Sequence, residues 1–286
     1  MVSPHGVLLV SCPDGPGIVA AIAGFVHDHG GNIVDLQQHT DAGSALFFQR
    51  VEFELDGFDL SGDGIRTAAS SLVERFSMRC EVRFTDWSPP TAVLVSKEPH
   101  CCNDLLSRWR AGELSFDLRT VISNHPDHAE MASWFGVAYH HLPTNAETRR
   151  SQEERLEAIL EAEGVELVVL ARYMQILSPE LVGRWCERII NIHHSFLPAF
   201  QGARPYHQAH DRGVKLVGVT AHYVSAGLDD GPIIDQDVVR VSHRDDIDDL
   251  RRKGRELEMA VLARAVRAHL EHRVLVHGNR TIVFEG

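Results

Sequence analysis

The chain has 286 residues, 44% apolar and 24% charged, with a formal net charge of −12. That is the profile of an ordinary globular protein with room for about two domains, and it excludes a disordered or fibrous chain. The acidic balance argues against nucleic acid as a partner, and no apolar stretch approaches the roughly 18 residues of a membrane span.

The opening residues lack a basic segment, and their apolar run is too short for a signal peptide, so a cytoplasmic protein is expected. Five cysteines without C-x-x-C spacing point to neither a disulfide framework nor a zinc ribbon. A composition shift near Trp87 divides the chain. Residues 1–86 carry 5 basic and 12 acidic side chains, a net of −7, against −5 for the rest. Pro89 and Pro90 mark residues 87–91 as an extended linker between domains at 1–86 and 92–286.

The first domain reads simply. Residues 6–11 form an apolar run, a buried strand. Residues 16–29 have helical spacing, with Ile18, Ala21, Ile22 and Phe25 on one stripe. Gly30-Gly31-Asn32 stops that helix. Residues 33–40 and 45–55 read as strands around the turn Asp41-Ala42-Gly43. A second amphipathic helix over 64–76 and a last strand over 80–85 complete the order βαββαβ. That order predicts a ferredoxin-like antiparallel sheet with two helices on one face.

The second domain alternates differently. Residues 92–96, 119–123, 165–171 and 189–193 are continuous apolar, β-branched runs, with helical patterns between them, such as 149–163 and 179–186. This predicts an α/β fold with an open, mostly parallel, Rossmann-like sheet covered on both faces. Residues 215–224 and 233–241 read as a hairpin on the sheet edge, and 247–272 as a long charged helix.

Gly15-Pro16-Gly17-Ile18-Val19-Ala20 matches the dinucleotide pattern G-x-G-x-x-A, with Asp35 about twenty residues on. Pro16 weighs against that reading, because it removes an N–H from the loop that would hold a pyrophosphate. The turn Asp14-Gly15-Pro16-Gly17 instead resembles that of an ACT domain. The resemblance implies an amino-acid effector near these four residues, pairing of chains into a homodimer or homotetramer, or both. His207 and His210, His193 and His194, and His140 and His141 raise the question of a metal. Adjacent histidines on a strand point to opposite faces, and no H-E-x-x-H is present, so no metal is expected. A G-x-S-x-G elbow fails because Tyr223 stands where its first glycine belongs.

Asn191-Ile192-His193-His194-Ser195 lies at the carboxyl end of a predicted parallel strand, where open α/β sheets place ligands. Asn191 and His193 share a face of that strand. An amide donor beside an imidazole suits a carbonyl carbon under attack, one holding the oxyanion and the other handling charge or a proton. Leu228-Asp229-Asp230-Gly231-Pro232-Ile233-Ile234 follows, and Tyr173-Met174-Gln175-Ile176-Leu177-Ser178 precedes. This trio resembles the folate-dependent formyltransferase fold across most of residues 92–241. The resemblance implies catalytic roles for Asn191, His193 and Asp229. It also places the Tyr173, Met174, Gln175, Ile176 and Leu177 loop and the Asp229 loop on either side of a pterin.

Members of that fold that formylate glycinamide ribonucleotide have a glycine-rich turn after the first strand, which holds the phosphate through N–H groups. Here the turn is Ser96-Lys97-Glu98-Pro99-His100-Cys101-Cys102, with no glycine, a proline without an N–H and a repelling carboxylate. That segment, together with residues 202–209 and 278–282 and the domain order, is similar to the formyltetrahydrofolate deformylases. The resemblance implies hydrolysis of 10-formyltetrahydrofolate to formate and tetrahydrofolate with no metal or redox cofactor. Asp229, helped by His193, would activate water, and Asn191 and His193 would hold the oxyanion. A carboxylate buried there is expected to have a raised pKa. Arg204, His207 and His222 would line the site. The alternatives are transfer of the formyl group to another amine, or an amino-acid or folate sensor without turnover.

Overall fold

The computed structural model describes residues 3–145, 147–199 and 205–286. The chain forms two compact units. The first contains β1 (His5–Pro13), α1 (Ile18–Asp28), β2 (Ile33–Asp41), β3 (Leu46–Glu54), α2 (Gly62–Ala68), α3 (Ser70–Phe76) and β4 (Arg79–Phe84). Its sheet has the order β2-β3-β1-β4, antiparallel throughout. Leu8, Val10, Val51, Phe53 and Val82 face the helices, and Ile18, Ile22, Ile65 and Leu72 close over them. An antiparallel sheet is not a dinucleotide fold, so Gly15 and Gly17 serve a different turn. Gly17 stands before α1 at φ 88°, a left-handed backbone that glycine adopts without steric cost.

The single helix expected over 64–76 is broken into α2 and α3 at Ala69. Two consecutive serines explain the break. Ser70 and Ser71 donate their hydroxyls to the Thr67 and Ala68 carbonyls, at 2.6 and 3.2 Å, and so compete with the helical ladder.

The second unit holds β5 (Pro90–Val95), α4 (His100–Arg110), β6 (Asp117–Ser123), α5 (Ala129–Phe135), β7 (Ala138–His141), α6 (Arg149–Ala162), β8 (Leu167–Leu170), α7 (Pro179–Arg184), β9 (Ile189–His193), α8 (Pro205–Asp211), β10 (Leu216–Tyr223), β11 (Ile233–Arg240) and α9 (Ile247–Leu270). The sheet order is β11-β10-β9-β8-β5-β6-β7. The strands from β9 to β7 are parallel, and β10 and β11 are antiparallel additions at one edge. Strand order reverses between β5 and β8, which makes their carboxyl ends the topological switch point where such sheets bind ligands. The β7 sequence, AYHH, escapes sequence reading because a half-exposed edge strand needs no apolar run.

The tail after α9 pairs β12 (Val274–His277) with β13 (Arg280–Val283). Expected within the second domain, it lies mostly with the first: 271–277 and 282–286 belong to that unit. The cause is apolar. Leu275, Ile282 and Phe284 cover Val7, Leu9 and Phe48 on the sheet face that the helices leave open. Arg50, buried in the same face, donates to the His272 carbonyl and pairs with Asp35 and Glu52. The expected linker is also shorter, since Pro90 and Thr91 already belong to β5. Proline is tolerated at the first position of a strand.

Candidate active site

β9 positions two polar groups by alternation. Ile190 and Ile192 point into apolar packing, so Asn191 and His193 emerge together on the opposite face. A slip of one residue would bury the amide and imidazole among aliphatic side chains. β10 lies antiparallel beside β9 and sets His222 across from Asn191 and Thr220 across from His193.

Hydrogen bonds assign the tautomers. Asn191 Nδ2 donates to His222 Nε2 at 3.1 Å, and His222 Nδ1 donates to the Tyr223 carbonyl at 2.9 Å. The His222 ring is therefore neutral, and burial lowers its pKa and keeps it so. An amide nitrogen carries two N–H groups, which leaves Asn191 a second one for a ligand oxygen. His193 stands between two acceptors. Its Nε2 lies 2.7 Å from Ser195 Oγ, whose own proton goes to the Ala199 carbonyl. Its Nδ1 lies 3.3 Å from Asp229 Oδ1. An imidazolium satisfies both positions.

Asp229 reaches this point from the loop between β10 and β11. Its backbone is left-handed at φ 53°, a conformation aspartate tolerates better than most residues. The hydrogen bond from His193 holds its carboxyl below the ordinary range, outweighing partial burial. The raised value expected from the sequence is thus corrected: the imidazole beside the carboxylate decides the sign. Gly231 explains the glycine of D-x-G. A Cβ there would fall 1.8 Å from the Tyr223 carbonyl oxygen, so the loop closes on β10 only without a side chain. Behind the site, the Thr220 hydroxyl donates to the Ser195 carbonyl at 3.0 Å and accepts from Leu197 N at 3.0 Å and Gln236 Nε2 at 2.8 Å. These bonds hold the segment that carries Ser195.

Among the described residues, hydrogen bonds and ion pairs link Asn191, His193, Asp229 and His222, and none joins them to the other candidates. Tyr173 is buried in the core, its hydroxyl taking a bond from Gln152 at 2.9 Å, and Leu177 packs against the same core. Gln175 is half-buried, while Met174 and Ile176 are exposed apolar groups, as is Leu228 beside Asp229. His207 lines a different cavity, described below. Arg204 lies outside the described residues. Asp14, Gly15 and Gly17 border an open hollow of 520 Å³ in the first unit, which Gln38 and Thr40 also line. Pro16 sits in the same turn.

Sequence reading missed Ser195, Ser96 and Glu258. Ser195 was within reach, standing two residues after His193 in the same motif. Ser96 ties the switch point together: its Oγ donates to Asn124 Oδ1 at 2.7 Å and accepts from Met174 N at 2.9 Å. Glu258 is hidden in a charged helix and gives no local signal. After Ser96 the turn runs through Pro99 directly into α4, without the N–H cradle a phosphate needs.

Fold and site together define an enzyme of the formyltransferase fold with an attached ACT domain. The family model described as formyl transferase matches residues 90–266, and the ACT domain model matches residues 6–60. A formyltetrahydrofolate deformylase of Synechocystis sp. is 55% identical over 97% of this chain and 97% of its own. The crystal structure of a formyltetrahydrofolate deformylase from Pseudomonas syringae pv. tomato is 45% identical, superposes with a TM-score of 0.97, and covers 100% of this chain and 96% of that one. Glycinamide ribonucleotide transformylase 1 from Symbiobacterium toebii is more distant, 35% identical with a TM-score of 0.66 over 69% of this chain and 95% of that one. The chain belongs to the formyltetrahydrofolate deformylase family, a family of hydrolases. No helix among the described residues is long and apolar enough to cross a membrane.

Proposed function

We propose that this chain hydrolyses 10-formyltetrahydrofolate to formate and tetrahydrofolate. The observation that carries the reading is the convergence of Asn191, His193 and Asp229 at the carboxyl end of β9. Asp229, held anionic, accepts a hydrogen bond from the attacking water and draws its proton as the oxygen adds to the formyl carbon. The carbonyl oxygen becomes an oxyanion, held by the second N–H of Asn191 and by the positive charge on His193. Collapse breaks the bond between carbon and N10, the amine takes the proton that Asp229 drew from the water, and formate is released. The formyl carbon is already electrophilic, so neither a metal nor a redox cofactor is assigned a role. The exposed Met174, Ile176 and Leu228 supply apolar contacts for the pterin. Water rather than a phosphate-bearing amine is the acceptor, in keeping with the turn at Ser96–Pro99.

The first unit acts as the effector and pairing module. The hollow bordered by Asp14 and Gly17 suits an amino acid. The edge strand β2, with Val34 and Leu36 exposed, suits pairing with a second copy into a homodimer or homotetramer. A membrane or nucleic-acid partner has no place in this reading. The buried free thiols of Cys12, Cys101 and Cys102 suit a reducing cytoplasm.

Purified protein incubated with 10-formyltetrahydrofolate and no acceptor amine should release formate and tetrahydrofolate in equal amounts. Asp229→Asn should lose at least about a hundredfold in turnover while still binding folate. Release only with an added amine would make it a transferase, and binding without release a sensor. Repeating the assay with single amino acids reads the effector site; a rate unmoved by all of them would remove that role.

A further inference from the structure

The crevice at the switch point is filled by the chain's own side chains. Arg172 follows β8 and His100 opens α4 after β5, so both come from the strand ends where a second substrate would sit. They meet at Glu258 on α9, a carboxylate 1% exposed. His100 Nε2 lies 2.7 Å from it, the Tyr206 hydroxyl donates to it at 2.7 Å, and Arg172 Nε pairs with it at 3.3 Å. Removing one partner from a buried cluster of this kind leaves the rest uncompensated, so the packing is hard to open. The backbone is shaped to it as well. Gly254, one helical turn before Glu258, makes room for the tyrosine, since a Cβ there would fall 2.0 Å from Tyr206 Oη. Burial and the Glu258 charge raise the tyrosine pKa, so the hydroxyl remains a donor.

Tyr206 and His194 form part of the wall of two hollows. One, of 150 Å³, also borders Arg172, Arg255 and Glu258. The other, of 30 Å³, also borders Ala209, Leu216 and Val217. The larger has room for about five waters at roughly 30 Å³ each. It is about half the small end of the roughly 300–1,000 Å³ range of pockets that take an organic ligand. His194 joins these hollows to the chemistry, with its ring centroid 5.3 Å from that of His193 and 6.2 Å from that of Tyr206. The space beside the reacting groups therefore suits water, and the Tyr206 ring is what a bulkier nucleophile would have to displace.

We propose that Tyr206, held by Glu258, selects the acceptor: its ring fills the space that the amine of a second substrate would need and leaves the formyl group open to water. The inference rests on the hydrolytic reading for the reaction it restricts. The test gives the full chain 10-formyltetrahydrofolate together with O-benzylhydroxylamine, an amine that is neutral and nucleophilic near neutral pH, and measures formate and the N-formyl product. In that transfer the amine nitrogen bonds to the formyl carbon and its proton passes to Asp229. The bond between carbon and N10 then breaks, and N10 takes the proton. The rate in Asp229→Asn is the background. Wild type should give formate alone. Tyr206→Ala should raise the ratio of N-formyl product to formate at least about tenfold, the scale on which pocket shape discriminates. A ratio does not move when a variant merely loses active protein. Tyr206→Phe, which keeps the ring, should keep the wild-type ratio. Should Tyr206→Ala fail to fold, Tyr206→Leu removes less packing and should shift the ratio the same way. Equal N-formylation in wild type and variant, an equal shift in Tyr206→Phe, or a folded variant yielding formate alone or nothing would overturn the proposal. Absence of wild-type hydrolysis without amine, with the amine taken only by Tyr206→Ala, would remove the hydrolytic reading and leave the barrier standing.

Discussion

In the proposed reaction Asp229 carries the proton chemistry, and its environment fixes which form it takes. Its pKa is lowered by the His193 hydrogen bond, so the sign runs one way: the anion is favoured above the ordinary carboxylate range and lost only below it. Between about pH 5 and pH 8 the profile of kcat/KM should therefore hold no acid limb belonging to this carboxyl. Comparing wild type with Asp229→Glu checks this, because a limb near neutrality that moves with the substitution would mean a raised carboxyl after all. His222 works at the same scale. By accepting from Asn191 it fixes which way the amide points, and so which atom can meet an oxyanion.

At the scale of elements, the hairpin of β10 and β11 determines whether Asp229 arrives at all. The loop is closed by contact between Gly231 and the Tyr223 carbonyl, and backbone cannot rotate away as a side chain can. Gly231→Ala should displace the loop, cut kcat/KM at least about a hundredfold, and destabilise the protein by more than the roughly 1–3 kcal/mol of ordinary overpacking. Gly227→Ala in the same loop is the control. Its Cβ would stand 3.1 Å from the Asp230 side chain, which can give way. Urea unfolding and turnover of the two variants separate the cases, and near-normal turnover in Gly231→Ala would contradict this account of the loop.

For the whole molecule, the C-terminal tail makes the stability of the first unit depend on pH. His272 donates from Nε2 to the Phe84 carbonyl at 3.1 Å, stacks on Trp87, and is pushed down to about 4, chiefly by burial. The folded value lies below the unfolded one, so unfolding takes up a proton as pH falls. Stability is complete above about pH 6.5 and declines toward pH 4. Between pH 7 and pH 5 this group should account for a loss of about 2 kcal/mol. His194 in the second unit is displaced in the same direction, so the difference between wild type and His272→Gln isolates the effect. An identical pH dependence in the two proteins would mean that His272 titrates normally.

Much of this was written locally. The alternation of β9, the βαββαβ order and the apolar runs of the parallel strands are short-range patterns, and alternation alone set Asn191 and His193 on one face; Asp229 entered through the resemblance of its loop to the formyltransferase motif. Other features depend on distance. Glu258 reads as one more acidic residue on a charged helix until packing sets it against His100, Arg172 and Tyr206. The tail reads as the end of the second domain until Leu275 and Phe284 find an uncovered sheet face. The ionisation of Asp229 was misjudged because burial is suggested by composition, whereas the position of one imidazole is not. The sequence by itself determined most of the elements, the two folds and, through motif resemblance, the candidate site residues, since periodicity and motif spacing act between near neighbours. Only the tertiary structure decided the charge states, the partners of the buried Glu258 and the path of the tail, because those depend on groups far apart in the chain meeting where water is excluded.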